Sequence, residues 1–238
     1  MSKIKSASSI TLEEESPVVV MISNVSNRAV GVASTSGRVL RLRVEVDTSA
    51  ALVRSSTHGL ASASASNKYK EARKVTRDDL ILRDENGTVV AAGQDFTKDV
   101  RLLGGGEDVF VRCTVAFRDS VPAYSVARLQ FSLELGSIDT PSSLVPVQIR
   151  TVSVQLAESY QHEDANVLLV ANNKTTADEI AAWKEVAATY GLRLAVFNLS
   201  LYGGFSMRHP WSSGSSRCLL DDFANDGLVI FLNNTCRD

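Results

Sequence analysis

VQIRTVSVQLAESYQHEDANVLLVA, residues 147–171, changes character halfway along its length. Val147 to Leu156 reads as a strand. Glu158-Ser159-Tyr160-Gln161-His162-Glu163-Asp164 is polar and reads as a linker. Asn166-Val167-Leu168-Leu169-Val170-Ala171 is then an unbroken apolar run. Such a run suits a strand covered on both faces, as in a parallel sheet, whereas a strand with one wet face alternates. The chain therefore divides into two regimes near Tyr160.

Downstream, Thr176 and Glu179 have the spacing of a capping box, in which hydroxyl and carboxylate each satisfy an orphan amide of the helix start. Ile180, Trp183, Val186, Ala187 and Tyr190 follow at helical spacing, and Gly191 has the form of a residue past the helix end. Leu192 to Leu199 reads as a second buried strand, Leu219 to Ala224 as a short helix and Gly227 to Leu232 as a third strand. Strand–helix–strand–helix–strand implies right-handed crossovers and three parallel strands, a partial Rossmann-like α/β unit. Three such strands with no helix after the last make half a doubly wound domain, so this reading expects a longer parent chain continuing past Asp238; the alternative is a three-stranded unit that packs against the sandwich and is complete.

Upstream, Val18 to Ile22 is a β-branched run. RVLRLRVEVD, residues 38–47, alternates, with Leu40, Leu42, Val44 and Val46 on one side and Arg41, Arg43 and Glu45 on the other. Leu80 to Arg83 and Thr88 to Ala92 flank Asn86-Gly87, a strong hairpin signal because both residues tolerate positive φ. Gly104-Gly105-Gly106 reads as a turn before Asp108 to Phe117. Ala127 to Leu135 is a further strand, with Leu129, Phe131, Leu133 and Leu135 on one face. Strands at this spacing predict an antiparallel β-sandwich of roughly seven strands. Residues 47–70, nearly low in complexity at ASASASNKYK, read as a long loop, and the first sixteen residues as a disordered arm. The expected organisation is an arm over 1–16, a sandwich over 17–157, a linker over 158–165 and the α/β unit over 166–238.

Composition narrows the functional classes. Of 238 residues, 44% are hydrophobic and 22% charged, which is globular in balance. Residues 1–157 hold 19 basic and 17 acidic side chains, and residues 158–238 hold 6 and 10. Neither half has the charge expected of a nucleic-acid binder. The one basic cluster, Lys68, Lys70, Arg73, Lys74 and Arg77, is followed at once by Asp78 and Asp79 and reads as a solvated loop edge. No apolar run approaches the ~20 residues of a membrane span. The first residues lack the apolar core of a secretory signal. Cys113, Cys218 and Cys236, odd in number and without CxxC spacing, suggest reduced thiols and an intracellular, cytoplasmic location.

In an open parallel sheet, ligands settle at the carboxyl ends of the strands. Here those ends are Asn172-Asn173-Lys174, Asn198-Leu199-Ser200 and Asn233-Asn234-Thr235. A ligand pocket would draw on Asn172, Asn173, Lys174, Asn198, Ser200, Gly203, Gly204 and Asn233, with Lys174 and the helix start facing an anion. The competing reading is that Asn simply tolerates turn conformations. The element order of this region is similar to that of a bacterial receiver domain. Asn172, Asn173 and Asn233 stand where that family's carboxylates would hold Mg²⁺, so no activity follows from the likeness.

Phosphate loops of the GxGxxG and GxxxxGK[ST] kinds are absent from the sequence. Ser206, His209 and Asp221 lack a nucleophile elbow. His209 with Cys218 and Cys236 makes a poor metal set. His58 and His162 fall in a loop and a linker, where a histidine is ordinarily just solvated. Asp95, Asp99, Glu107 and Asp108 are scattered rather than arranged as a calcium loop. The sequence assigns no cofactor. Its leading functional expectation is a non-catalytic scaffolding segment with a protein partner. The alternative is an enzyme's N-terminal part, binding a nucleotide or other phosphorylated ligand at the strand ends.

Overall fold

The computed structural model describes residues 1, 3–33, 37–48, 75–137, 140, 144–161, 164–172, 174–202, 223 and 227–232. In chain order the elements are β1 (Lys3–Lys5), β2 (Ser9–Ile10), β3 (Ser16–Ser23), β4 (Arg38–Val46), β5 (Leu80–Arg83), β6 (Phe96–Val100), β7 (Asp108–Phe117), β8 (Val126–Ser137), β9 (Val145–Leu156), β10 (Val167–Ala171), α1 (Ala177–Thr189), β11 (Leu194–Asn198), α2 (Leu199–Tyr202) and β12 (Leu228–Phe231). The fold is mostly β, with few helices among the described residues.

The first nine strands form two sheets, β1-β3-β7-β5 and β2-β9-β8-β4-β6. All neighbours are antiparallel except β2 and β9. The period-two pattern dictates what lies between the sheets. Val18, Val20 and Ile22 of β3, Leu42 and Val44 of β4, Val115 of β7 and Leu129 and Phe131 of β8 all belong to one buried cluster. Burying each such side chain contributes roughly 1.5–3 kcal/mol before chain entropy is subtracted. One core serves both sheets, a sandwich-like arrangement.

The sequence reading needs correction in four places. The arm over residues 1–16 is not disordered. β1 pairs with β3, the chain then crosses to the other sheet, and β2 pairs with β9, with Ile10 only 3% exposed. Polar composition hid this, since edge strands need few apolar residues. Second, β6 was missed: Lys98 and Asp99 dilute its pattern, while Phe96 and Val100 reach the core. Third, the Asn86-Gly87 turn forms with Gly87 at φ +82°, but its second arm amounts to a single bridge, Arg83 to Val89. β5 takes β7 as its partner instead. Fourth, the stretch expected as a linker is packed. Tyr160 stands edge-on to Phe197 with centroids 5.6 Å apart, and its backbone N–H donates to the Tyr202 hydroxyl at 2.8 Å.

β10, β11 and β12 form a parallel sheet in the order β11-β10-β12. All five residues of β10 are buried, as the unbroken apolar run requires. Alternate residues serve opposite faces. Leu168 and Val170 pack with Phe197 and Phe223, whereas Leu169 and Ala171 pack with Ile180 of α1 and with Tyr124. β12 is different: Leu228 and Phe231 are each about half exposed.

Candidate functional site

At the carboxyl ends of the parallel strands, two predicted residues serve the backbone. Asn172 Oδ1 accepts the Lys174 amide at 2.8 Å, and the Asn172 N–H donates to Thr175 Oγ1 at 3.1 Å. Asn198 Oδ1 accepts the Ser200 and Leu201 amides at 2.9 and 3.2 Å, capping α2. Local turn chemistry thus accounts for the asparagine at each of these strand ends. The register sets Asn198 beside Ala171, so these two ends are neighbours. Asn198 is 2% exposed, and its Nδ2 has no hydrogen-bond partner. Lys174 is exposed at the loop and Ser200 begins α2. Asn173, Gly203, Gly204 and Asn233 lie outside the described residues, as do Ser206, His209, Asp221, Cys218 and Cys236, together with His58, His162 and the basic cluster up to Lys74.

The capping box of α1 forms as its spacing requires. Thr176 Oγ1 accepts from the Glu179 amide at 3.3 Å, while Glu179 Oε2 accepts from the Thr176 amide at 2.9 Å. Asp178 and Glu179 sit in the first turn. Their carboxylates already face the positive end of the helix, where an incoming anion would have to compete with them.

The sandwich supports this loop from outside. Gln155, 3% exposed near the end of β9, donates through Nε2 to the Thr175 carbonyl at 2.8 Å. Tyr124, held at φ +65°, fills the α1 face of the parallel sheet, and its hydroxyl donates to Glu158 Oε2 at 3.1 Å. Lys184 Nζ donates to both Glu158 oxygens at 2.9 and 3.0 Å. Burial, then the Glu158 charge, pushes the Tyr124 hydroxyl far above the ordinary phenol range. A cavity of about 530 Å³ lies beside these groups, lined in part by Leu12, Ala123, Leu156, Lys184, Arg193 and Val196. Ala165, Arg193 and Leu194 in its lining set it at the amino ends of β10 and β11, away from the site the sequence indicated. No sequence signal marked it, because its lining residues come from segments far apart in the chain.

Other candidates are absorbed by structural roles. Arg77 donates to the carbonyls of Gln94 and Leu80 at 2.6 and 3.0 Å. Asp95 and Asp99 pair with Arg43 and Arg41, and Glu107 accepts the Gly104 amide at 2.7 Å. Cys113 is free and buried, and burial pushes its thiol up to about 12, so it is no ready nucleophile. Among the described residues no group of His, Cys, Asp and Glu could hold a metal, and no helix is long and apolar enough to cross a membrane.

A different feature lies on β9, where β2 covers only Gln155 and Leu156. The Gln155 N–H donates outward to the Ser8 carbonyl at 3.0 Å. By the period of two, the amides of Ile149, Thr151 and Ser153 face the same edge, and among the described residues no strand meets them there. Val145, Val147 and Ile149 are 60%, 55% and 53% exposed.

No protein family matches the sequence, and no curated protein matches it. A solved structure described as "AvmM Catalyzes Macrocyclization in Alchivemycin A Biosynthesis" is similar at 15% identity and a TM-score of 0.33, over 65% of this chain and 89% of that one. At that TM-score the likeness carries neither fold nor function across.

Proposed function

We propose that this chain is a non-catalytic recognition module that takes an extended segment of a protein partner along β9. The observation that supports this is the edge at Ile149, Thr151 and Ser153, which no strand covers among the described residues and which exposed β-branched side chains flank. An unpaired, apolar strand edge is a template for strand addition, in which main-chain hydrogen bonds give affinity and alternate side chains give specificity. Each such bond contributes roughly 0.5–1.5 kcal/mol net, so a partner spanning five or so residues binds weakly and reversibly. The test is selection of random extended peptides against the immobilised chain, with Thr151→Pro as counter-selection. That proline deletes an amide facing the open edge and leaves the β8 pairing intact. Peptides enriched on the parent and lost on Thr151→Pro are expected; no difference between the two would sink the reading.

The second reading places a small ligand at the carboxyl ends of a Rossmann-like half-sheet. It is favoured by the unpartnered Asn198 Nδ2, and by a strand order that reverses direction at β10. Nucleotides and sugar phosphates would then raise the thermal midpoint, since a ligand bound only to the folded state stabilises it by mass action.

A further inference from the structure

Resting on the recognition reading above, we infer that the segment added to β9 is acidic, alternating β-branched apolar residues with Asp or Glu. The two sides of the open edge differ in chemistry. Ile149 and Thr151 lie on the outer face. Gln148 and Arg150 lie on the side of Val154 and Leu156, which point into the core. A strand laid alongside therefore meets Ile149 and Thr151 on one face and the Arg150 guanidinium on the other. β9 carries one arginine and no acidic residue along its whole length. Arg150 has no ion pair among the described residues. The Met1 amine donates to Gln148 Oε1 beside it, and burial, then the Arg150 charge, holds the pKa of that amine below its ordinary value. Lys3 and Lys5 bracket β1, the neighbouring edge of the other sheet.

The same charges disfavour a second copy of this chain as the occupant. Pairing β9 with itself brings two copies of Arg150 to one seam, and like charges across a strand pair destabilise it. An acidic strand neutralises Arg150, and its apolar residues cover Ile149. Pro146 and the register shift opposite Leu133 and Glu134 limit the seam to the regular part of β9.

The experiment uses two fluorescein-labelled heptapeptides, one alternating valine with glutamate and the other valine with lysine, titrated into the full chain and read by anisotropy. The acidic probe is expected to bind at least about tenfold more tightly at low salt, with the difference shrinking as salt screens it. Arg150→Glu should erase or invert the preference, and Thr151→Pro should abolish binding of the acidic probe. Equal binding of both probes, or acidic binding that survives Thr151→Pro, overturns the inference. So does sedimentation showing a dimer that Thr151→Pro dissolves, which would assign the edge to a second copy. If neither probe binds while the peptide selection succeeds, the acidic character fails and the recognition reading stands.

Discussion

Within the five-stranded sheet, the outer strand β6 and the stretch of β9 that β2 leaves uncovered are built to opposite rules. β6 is bounded by charge: Asp99 meets Arg41 at 2.6 Å, Lys98 meets Glu85, and Asp95 just ahead of the strand meets Arg43 at 2.5 Å. β9 carries Val145, Val147 and Ile149 in the open, and its one arginine has no ion pair among the described residues. Charged side chains along an edge resist further pairing, because a docking strand would have to strip water from them. The contrast within one sheet teaches that β9's bareness is a local property of that strand, since the same core backs both edges.

The largest expected effect removes that common backing. Phe131 is fully buried in β8, so Phe131→Ala should cost about 3–5 kcal/mol by lost contact and cavity formation. Urea unfolding should show the loss, together with the loss of any peptide binding to β9. A cost below about 1 kcal/mol would mean that the two sheets do not share a tightly packed interior.

Alkaline pH should weaken the whole sandwich next. The Cys113 thiol rises from 9.0 to about 12 on folding, so the folded state holds its proton more tightly. Its stabilising share is complete below pH 9 and is lost as pH climbs toward 12, and the raised Tyr124 hydroxyl acts in the same direction. Thermal midpoints measured from pH 8 to 12 should fall over that window. A Cys113→Ala, Tyr124→Phe variant should fall less steeply.

Exchanging the rules of the two edges is the direct test of the comparison. Lys98→Ile with Asp99→Val should make β6 resemble β9. Light scattering should then detect association that grows with concentration, while monomer stability shifts by less than about 1 kcal/mol, since the lost ion pairs are exposed. A variant as unassociated as its parent would show that charge is not what closes β6.

Smaller effects come from single polar groups. Gln155→Ala removes the bond to the Thr175 carbonyl, and about 1 kcal/mol should go with it, along with faster hydrogen exchange in the turn from Asn172 to Thr176. Arg43 joins Asp95, Glu45 and Glu134 on the outer face. With Arg43 42% exposed, a double-mutant cycle between Arg43→Ala and Asp95→Ala should give a coupling below about 1 kcal/mol.

Much of the fold was legible in the residues. The alternation of residues 38–46 sets one face of β4 in the core, and the run from Val167 to Ala171 is the central strand of a parallel sheet. Thr176 and Glu179 mark the start of α1. Short edge strands were not legible, because pairing along one side demands little apolar pattern: β1 has Lys at both ends, and β2 is two residues long. The strand-end asparagines were visible as a type. That Asn172 and Asn198 spend their oxygens on neighbouring amides, and that Asn198 keeps an unpartnered Nδ2, required coordinates.

By itself the sequence determined the two backbone regimes and the faces of their strands, because periodicity reports which side chains must leave water. Tertiary structure alone decided which edges stay uncovered among the described residues, where the arm crosses between sheets, and how Tyr124, Gln155 and Glu158 hold β9 and its flanking turn against α1 and the loop before it. The physical reason is that an edge is defined by a neighbour that does not arrive. Whether one arrives depends on distant segments such as β2, whose placement no local pattern around β9 encodes.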